Sequence, residues 1–277
     1  MRWPKDWGTR TAVMGVINLT PDSFSDGGQF NQLDRALAEA SRQIASGADC
    51  LDLGAQSTRP NAHEVGEDEE LKRLLPTLKA IRAAHPNVLL SVDTFLAAVA
   101  EQALEAGADW INDVSGGRRD SKMFPLIARA GCPFVLMHSR GTSRTMDRCT
   151  DYGEQGVVQG VLAELRAATD RAVEAGVQRD QLLWDPGLGF AKTTAQNLTL
   201  LQQLDTLVAE GIPLLLGPSR KRFIGAVLDE PRARARLWGT AAVCARAVDA
   251  GVAVLRVHDV GPIHQVVTMA SAIGSDR

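Results

Sequence analysis

Aromatic residues are scarce in this chain, 5% of 277 residues with a single tyrosine. Proteins that stack single-stranded bases need aromatic platforms, so that class is disfavoured. A charge excess is missing as well. Thirty basic and 33 acidic residues leave a net charge of −3, which gives no overall basic footprint for nucleic acid. The four cysteines, Cys50, Cys132, Cys149 and Cys244, have no C-x-x-C or other metal-ligand spacing. They read as free, mostly buried thiols of a reducing compartment. No run approaches the roughly 18 apolar residues of a membrane span. Met1 to Arg10 carries Lys5, Asp6 and Arg10 and lacks the apolar core of a signal peptide. A cytoplasmic protein with neither membrane nor nucleic-acid partners is expected. Several catalytic signatures are also absent: G-x-S-x-G, H-E-x-x-H, G-x-x-x-x-G-K-[ST] and, after the first strand, G-x-G-x-x-G.

The chain does contain a repeated alternation. Short apolar runs at Thr11–Asn18, Cys50–Gly54, Val88–Asp93, Trp110–Val114, Pro133–His138, Leu182–Asp185, Pro213–Gly217 and Val252–His258 predict eight strands. Between them lie helical periodicities, such as Leu33, Ala36, Leu37, Ala40 and Ile44, or Leu200, Leu204, Leu207 and Val208. Gly47, Gly107, Gly131, Gly176, Gly211 and Gly251 each close a helical pattern just before a strand. Eight βα units in one chain predict an α/β fold, a single-domain (β/α)8 TIM barrel over residues 1–277. An open doubly wound sheet is the runner-up. No linker or low-complexity run divides the chain.

In such a barrel the chemistry sits at the C-terminal strand ends. Here those ends carry Asn18, the run Gln56 to Pro60, Asp93, Asn112-Asp113, His138, Asp185-Pro186-Gly187, the run Ser219 to Arg222, and Arg256, His258 and Asp259. Any one strand-end Asp or Asn is commonly a cap or turn; eight such ends converging on one face point to a ligand. Arg59, Arg220, Lys221, Arg222, Arg256 and His258 form a cationic sector suited to phosphate or carboxylate. Asp93, Asn112 and Asp185 suit a flat heterocycle with N–H groups. Lys221 stands out because only six of the 30 basic residues are lysines. His138, without partner histidines, reads as a structural group before a metal ligand. The long loops Leu19–Gln32 and Ala55–Glu67 read as lids.

The ordered blocks resemble the dihydropteroate synthase family. Met14 to Gly28 is similar to its N-terminal signature. Ser57-Thr58-Arg59-Pro60, Ser91-Val92-Asp93-Thr94, Ile111-Asn112-Asp113-Val114, Asp185 to Phe190, Ser219-Arg220-Lys221 and Arg256 to Val260 resemble its other blocks, in family order. The resemblance implies the condensation of 6-hydroxymethyl-7,8-dihydropterin pyrophosphate with p-aminobenzoate to dihydropteroate and pyrophosphate, in folate synthesis. It further implies that Asp93, Asn112, Asp185 and Lys221 hold the pterin. Asn18, Arg59, Arg256 and His258 would bind pyrophosphate, with Asn18 as the ligand of an accompanying Mg²⁺. Phe24, Thr58, Arg59, Pro60, Phe190, Ser219 and Lys221 would form the p-aminobenzoate site. Asp26, Lys221 and Asp185 would carry the catalytic roles, Asp26 on a loop closing over the reacting centre. A homodimer, and a p-aminobenzoate site at which sulfonamides compete, belong to the same expectation. The sequence departs from the commoner family pattern at Gln56, where Glu is usual, and at Ser139-Arg140, where Met-Gln is usual.

The implied chemistry agrees with what is missing. An aromatic amine is nucleophilic at neutral pH and needs no Ser-His-Asp triad. The demanding step is loss of pyrophosphate, which cations can stabilise. Two alternatives stay open at this point: a methyltetrahydrofolate–corrinoid methyltransferase-like enzyme, and a non-catalytic pterin-binding protein.

Overall fold

The computed structural model describes residues 1–20, 29–56 and 64–274, with the side chains of 29–31 left aside. The strands are β1 (Ala12–Asn18), β2 (Cys50–Gly54), β3 (Leu89–Asp93), β4 (Trp110–Asp113), β5 (Phe134–Met137), β6 (Leu182–Asp185), β7 (Leu215–Leu216) and β8 (Val254–Val257). All pair in parallel, in the order β6-β5-β4-β3-β2-β1-β8-β7. A bridge between Trp184 and Leu214 joins the two outer strands, with the Trp184 amide donating to the Pro213 carbonyl at 2.9 Å. The (β/α)8 barrel is therefore closed at its one weak seam.

The helices are α1 (Gln29–Ala45), α2 (Glu67–Ala84), α3 (Ala97–Glu105), α4 (Met123–Ala130), α5 (Gly156–Glu174), α6 (Thr194–Gln202), α7 (Leu204–Val208), α8 (Arg222–Leu228), α9 (Leu237–Asp249) and α10 (Val260–Gly274). The expected helix through Leu200, Leu204, Leu207 and Val208 is split between α6 and α7 at Gln203, whose backbone leaves the helical region (φ −107, ψ 28). The six glycines proposed as helix closers all have left-handed φ, between 63° and 105°, which a side chain would strain. Helix α1 starts at Gln29, so the first long loop is shorter than its pattern implied.

Strand alternation sorts the side chains into two cores. Outward-facing Val13, Ile17, Leu51, Leu53, Leu90, Val92, Ile111, Phe134, Leu136 and Leu255 meet the helices. Inward-facing Ala12, Met14, Cys50, Leu89, Trp110, Val135, Leu183, Leu215 and Val254 fill the lower barrel. Below them, Trp3 and Trp7 stack with ring centroids 4.5 Å apart and meet Trp110 edge-on. The Trp110 indole N–H donates to the Arg2 carbonyl at 2.8 Å. The N-terminal segment thus floors the barrel, and the opposite end is free for polar residues.

Candidate active site

The inward parity of each strand changes from apolar to polar near its C-terminal end. Strand β2 places Cys50, Asp52 and Gly54 inward, and β3 places Leu89, Ser91 and Asp93. Register then aligns Asn18 with Gly54, Gly54 with Asp93, and Asp93 with Asn112. A Cβ on Gly54 would stand 3.7 Å from the Asp93 Cβ, so glycine leaves the space above this level open. Asp185 ends β6 at the level of Met137. Asp93, Asn112 and Asp185 are buried, at 7%, 3% and 6% exposure. Two carboxylates and an amide inside a barrel need partners, and Arg256 supplies the first.

Arg256 Nε donates to Asp52 at 2.6 Å, and its Nη2 donates to Asp93 at 2.9 Å. Asp52 also accepts from the Ser91 hydroxyl at 2.5 Å and from the Asn112 amide at 3.2 Å. It is fully buried and is the site residue that sequence reasoning missed. Burial raises Asp93 to about 7, with Arg256 pulling it down and Asp52 pushing it up. Burial likewise raises Asp185, opposed by the amide of Gly187 and the charge of Lys221. The Gly187 N–H donates to Asp185 Oδ1 at 2.7 Å, fixing the carboxylate at the start of its loop.

The Ser219-Arg220-Lys221 turn separates two cations. Arg220 takes a left-handed conformation (φ 61), which costs an L-residue about 1–2 kcal/mol. Its guanidinium is spent on Asp259, at 3.0 and 2.6 Å. Arg222 points away and pairs with Asp147. The described arginines of the expected cationic sector are therefore all paired, Arg220 with Asp259, Arg222 at the surface with Asp147, and Arg256 with Asp52 and Asp93 inside the barrel mouth. Lys221, between Arg220 and Arg222, stays on the site side. Its ammonium lies 4.2 Å from the Phe190 ring centroid, a cation–π contact. Burial lowers it to about 8, while Asp185 pulls it up.

His258 also differs from the cation expected. Burial, then Arg220 and Arg256, lower it to about 3, so it is neutral. Its backbone N–H donates to Ser219 Oγ at 3.2 Å, and the Ser219 hydroxyl faces Nδ1 at 2.9 Å. In the tautomer with its proton on Nε2, that hydroxyl donates to Nδ1 and Nε2–H is left to donate elsewhere.

His138 is held in a network. Its Nδ1 lies 3.0 Å from Lys192 Nζ, and its Nε2 faces Glu164 at 3.1 Å. Burial and the charge of Lys192 lower it to about 4. The structural reading of His138 stands over the metal-ligand one.

Both neutral histidines bear on acid stability. The unfolded chain takes up protons near pH 6.5, whereas folded His138 and His258 wait until about 4 and 3. The histidines' contribution to stability is full above 6.5 and falls as pH drops through that window, while Asp93, which takes up its proton near 7 in the fold, contributes with the opposite sign. The Tm is expected to decline from pH 6.5 to 4, and less steeply in His138→Gln. An unchanged slope in that variant would contradict the assignment for His138.

The departures from the family pattern are absorbed locally. Gln56 donates to Glu70 of α2 at 2.7 Å. Ser139 donates to the Val114 carbonyl at 2.8 Å and accepts from Arg118 at 2.7 Å. Arg140 pairs with Glu164 and lies 3.8 Å from the Tyr152 ring centroid. Asp113 anchors its own turn, accepting from the Ser115 and Gly117 amides. Asn18 is half-buried at the end of β1. Phe24, Asp26, Thr58, Arg59 and Pro60 lie outside the described residues.

Comparisons agree with this geometry. The pterin binding enzyme family profile matches residues 14–258. Dihydropteroate synthase of Synechocystis sp. is 47% identical over 272 residues, 97% of this chain and 92% of that protein. The dihydropteroate synthase of Clostridium difficile, solved with pteroic acid, superposes with a TM-score of 0.91. It is 38% identical, covering 97% of this chain and 98% of the other. The Yersinia pestis enzyme, solved with a sulfonamide drug complex, gives a TM-score of 0.90 at 38% identity, covering 97% and 96%. With its carboxylate–amide cluster set in a closed (β/α)8 barrel, this chain belongs to the pterin-binding enzyme family, among the dihydropteroate synthases.

Proposed function

We propose that this protein joins 6-hydroxymethyl-7,8-dihydropterin pyrophosphate to p-aminobenzoate, releasing pyrophosphate. The observation that carries the reading is the buried set Asp93, Asn112 and Asp185 beside the Lys221 ammonium. A pterin presents a guanidine-like edge, and bidentate carboxylate acceptors gain most from it. Asp185 and Asp93 accept from that edge, Asn112 adds an amide, and Lys221 places its charge toward the bond-forming region. A bound edge of N–H donors favours the ionised carboxylates through hydrogen bonds, offsetting the burial that holds them up.

The amine attacks the pterin methylene as the carbon–oxygen bond to pyrophosphate breaks. Arg256 and the Nε2–H of His258 supply charge and a donor to the leaving group, with Arg59. Phe190 and Ser219 line the p-aminobenzoate side with Phe24, Thr58 and Pro60. Asp26 is assigned the role of opposing the positive charge that develops at the reacting carbon. Holding both reactants in line contributes up to ~7–11 kcal/mol in well-aligned systems.

Mg²⁺ enters this reading with the pyrophosphate. Among the described residues no group of three His, Cys, Asp or Glu is gathered for a metal. Asn18 offers one neutral oxygen, which fits an ion that keeps waters and rides on substrate phosphates. When bound, Mg²⁺ neutralises charge on the leaving group.

Pyrophosphate release on mixing both substrates with Mg²⁺ tests the activity. Absence of release with pterin still bound would favour the non-catalytic alternative. Sulfonamides are expected to compete with p-aminobenzoate, and competition with the pterin instead would contradict the site assignment. The reading includes a cytoplasmic homodimer. Its support is four unpaired thiols and exposed apolar side chains on α9 and α10, where Trp238 is 80% and Ile273 70% exposed. Among the described residues no helix is long and apolar enough to cross a membrane. Light scattering of the wild type and Trp238→Asp checks the dimer.

A further inference from the structure

Lys192 lies just beyond the β6 loop and is 9% exposed. Its three N–H bonds find three acceptors. Nζ is 3.1 Å from the Gly187 carbonyl, 3.0 Å from the Phe190 carbonyl and 3.0 Å from His138 Nδ1. When protonated, Lys192 donates at all three, and His138 then accepts at Nδ1 and carries its proton on Nε2, 3.1 Å from Glu164. Glu164 is anionic, held at about 2 by His138 and Arg140.

The two carbonyls belong to the loop that carries the site. Asp185 begins it, and its backbone carbonyl accepts from the His138 amide at 2.8 Å. Gly187 is packed so closely that a Cβ would meet the His138 carbonyl at 1.9 Å. Gly189 lies against Lys221, where a Cβ would sit 3.1 Å from its Cδ. Phe190 then faces the Lys221 ammonium.

We propose that Lys192 is a positioning residue: anchored on His138, whose Nε2 lies 3.1 Å from the Glu164 carboxylate, it clamps the Gly187 and Phe190 carbonyls and so holds Phe190 against Lys221. Its effect falls on the p-aminobenzoate side, since Asp185 has its own tether at the Gly187 amide. Burial lowers Lys192 to about 7, Arg140 and Lys221 push it further down, and Asp185 and Glu164 pull it up. The anchor is therefore costly to keep charged, which a side chain serving only to fill space would not require. The inference rests on assigning Phe190 to the amine subsite.

The test compares Lys192→Met, Glu164→Gln and Phe190→Ala by steady-state kinetics and by calorimetric titration of the pterin alone. Lys192→Met is expected to raise KM for p-aminobenzoate about tenfold, with pterin affinity within threefold of wild type. Glu164→Gln keeps the ammonium but loosens its anchor, and is expected to show the same split at smaller amplitude. It carries the test if Lys192→Met does not fold. If Phe190→Ala raises KM for p-aminobenzoate and neither other variant does, the clamp is overturned alone. If Phe190→Ala has no effect, the subsite assignment falls and the proposal with it. Equal losses for both substrates in Lys192→Met also overturn it, because general destabilisation explains them.

Discussion

Lys221→Ala is expected to lower kcat/KM by about 10²–10³-fold, the range seen when one preorganised electrostatic donor is removed. The side chain leaves the turn before α8 and lies over Phe190 while sharing the field of Asp185 and Asp93. At about 8 it is mostly protonated at pH 7. Alanine leaves Asp185 buried with less opposing charge, so pterin binding weakens as well as the chemical step. Lys221→Arg does not restore the activity fully, because a planar guanidinium cannot replace a compact ammonium at a packed site. Coupled pyrophosphate release measures the effect, and a loss below threefold would show that Lys221 does not carry charge to the reacting atoms.

Asp52→Ala is the second large effect. Asp52 gathers Ser91, Asn112 and Arg256 around one fully buried carboxylate. Removing one partner of a buried ion pair costs about 3–5 kcal/mol, and Arg256 is then left with Asp93 alone. Urea unfolding is expected to show that loss. Pterin titration is expected to weaken beyond it, since Asn112 and Arg256 lose the anchor that orients them. Asp52→Asn keeps hydrogen-bonding atoms and is milder on both counts. Normal pterin affinity in Asp52→Ala would mean that Asn112 and Arg256 are placed by other contacts.

The two variants differ in how visible their residues were beforehand. Lys221, Asp93, Asn112 and Asp185 sit at strand ends, where a (β/α)8 pattern directs attention. Asp52 lies two residues inside a strand, in the run Cys50-Leu51-Asp52-Leu53-Gly54. Its signal was parity: a carboxylate in an apolar run, on the same side as Gly54. Lys192 was harder, because its partner His138 is 54 residues away. The strand positions were legible because a fully buried parallel strand is a short apolar run bounded by turn residues. Strand β7 is the shortest, Leu215–Leu216; Pro213, just before it, has no N–H to donate and joins the ladder only through its carbonyl. Arg220 and Arg222 misled for an electrostatic reason. Their carboxylate partners, Asp259 and Asp147, are 39 and 75 residues distant, so no local pattern announces that the charges are already matched.

The tryptophan floor has an optical consequence. Of five tryptophans, Trp3, Trp7 and Trp110 are packed together at the end of the barrel opposite the ligand residues. Trp184 faces outward, its indole donating to Thr169 of α5, and Trp238 lies on the surface. Intrinsic emission from this protein therefore reports on the barrel floor through three of its five tryptophans, beside Trp184 and Trp238. A truncation that removes Trp3 and Trp7 is expected to shift the spectrum, and pterin titration of the same protein reads whether the ligand residues at the opposite end are disturbed with the floor.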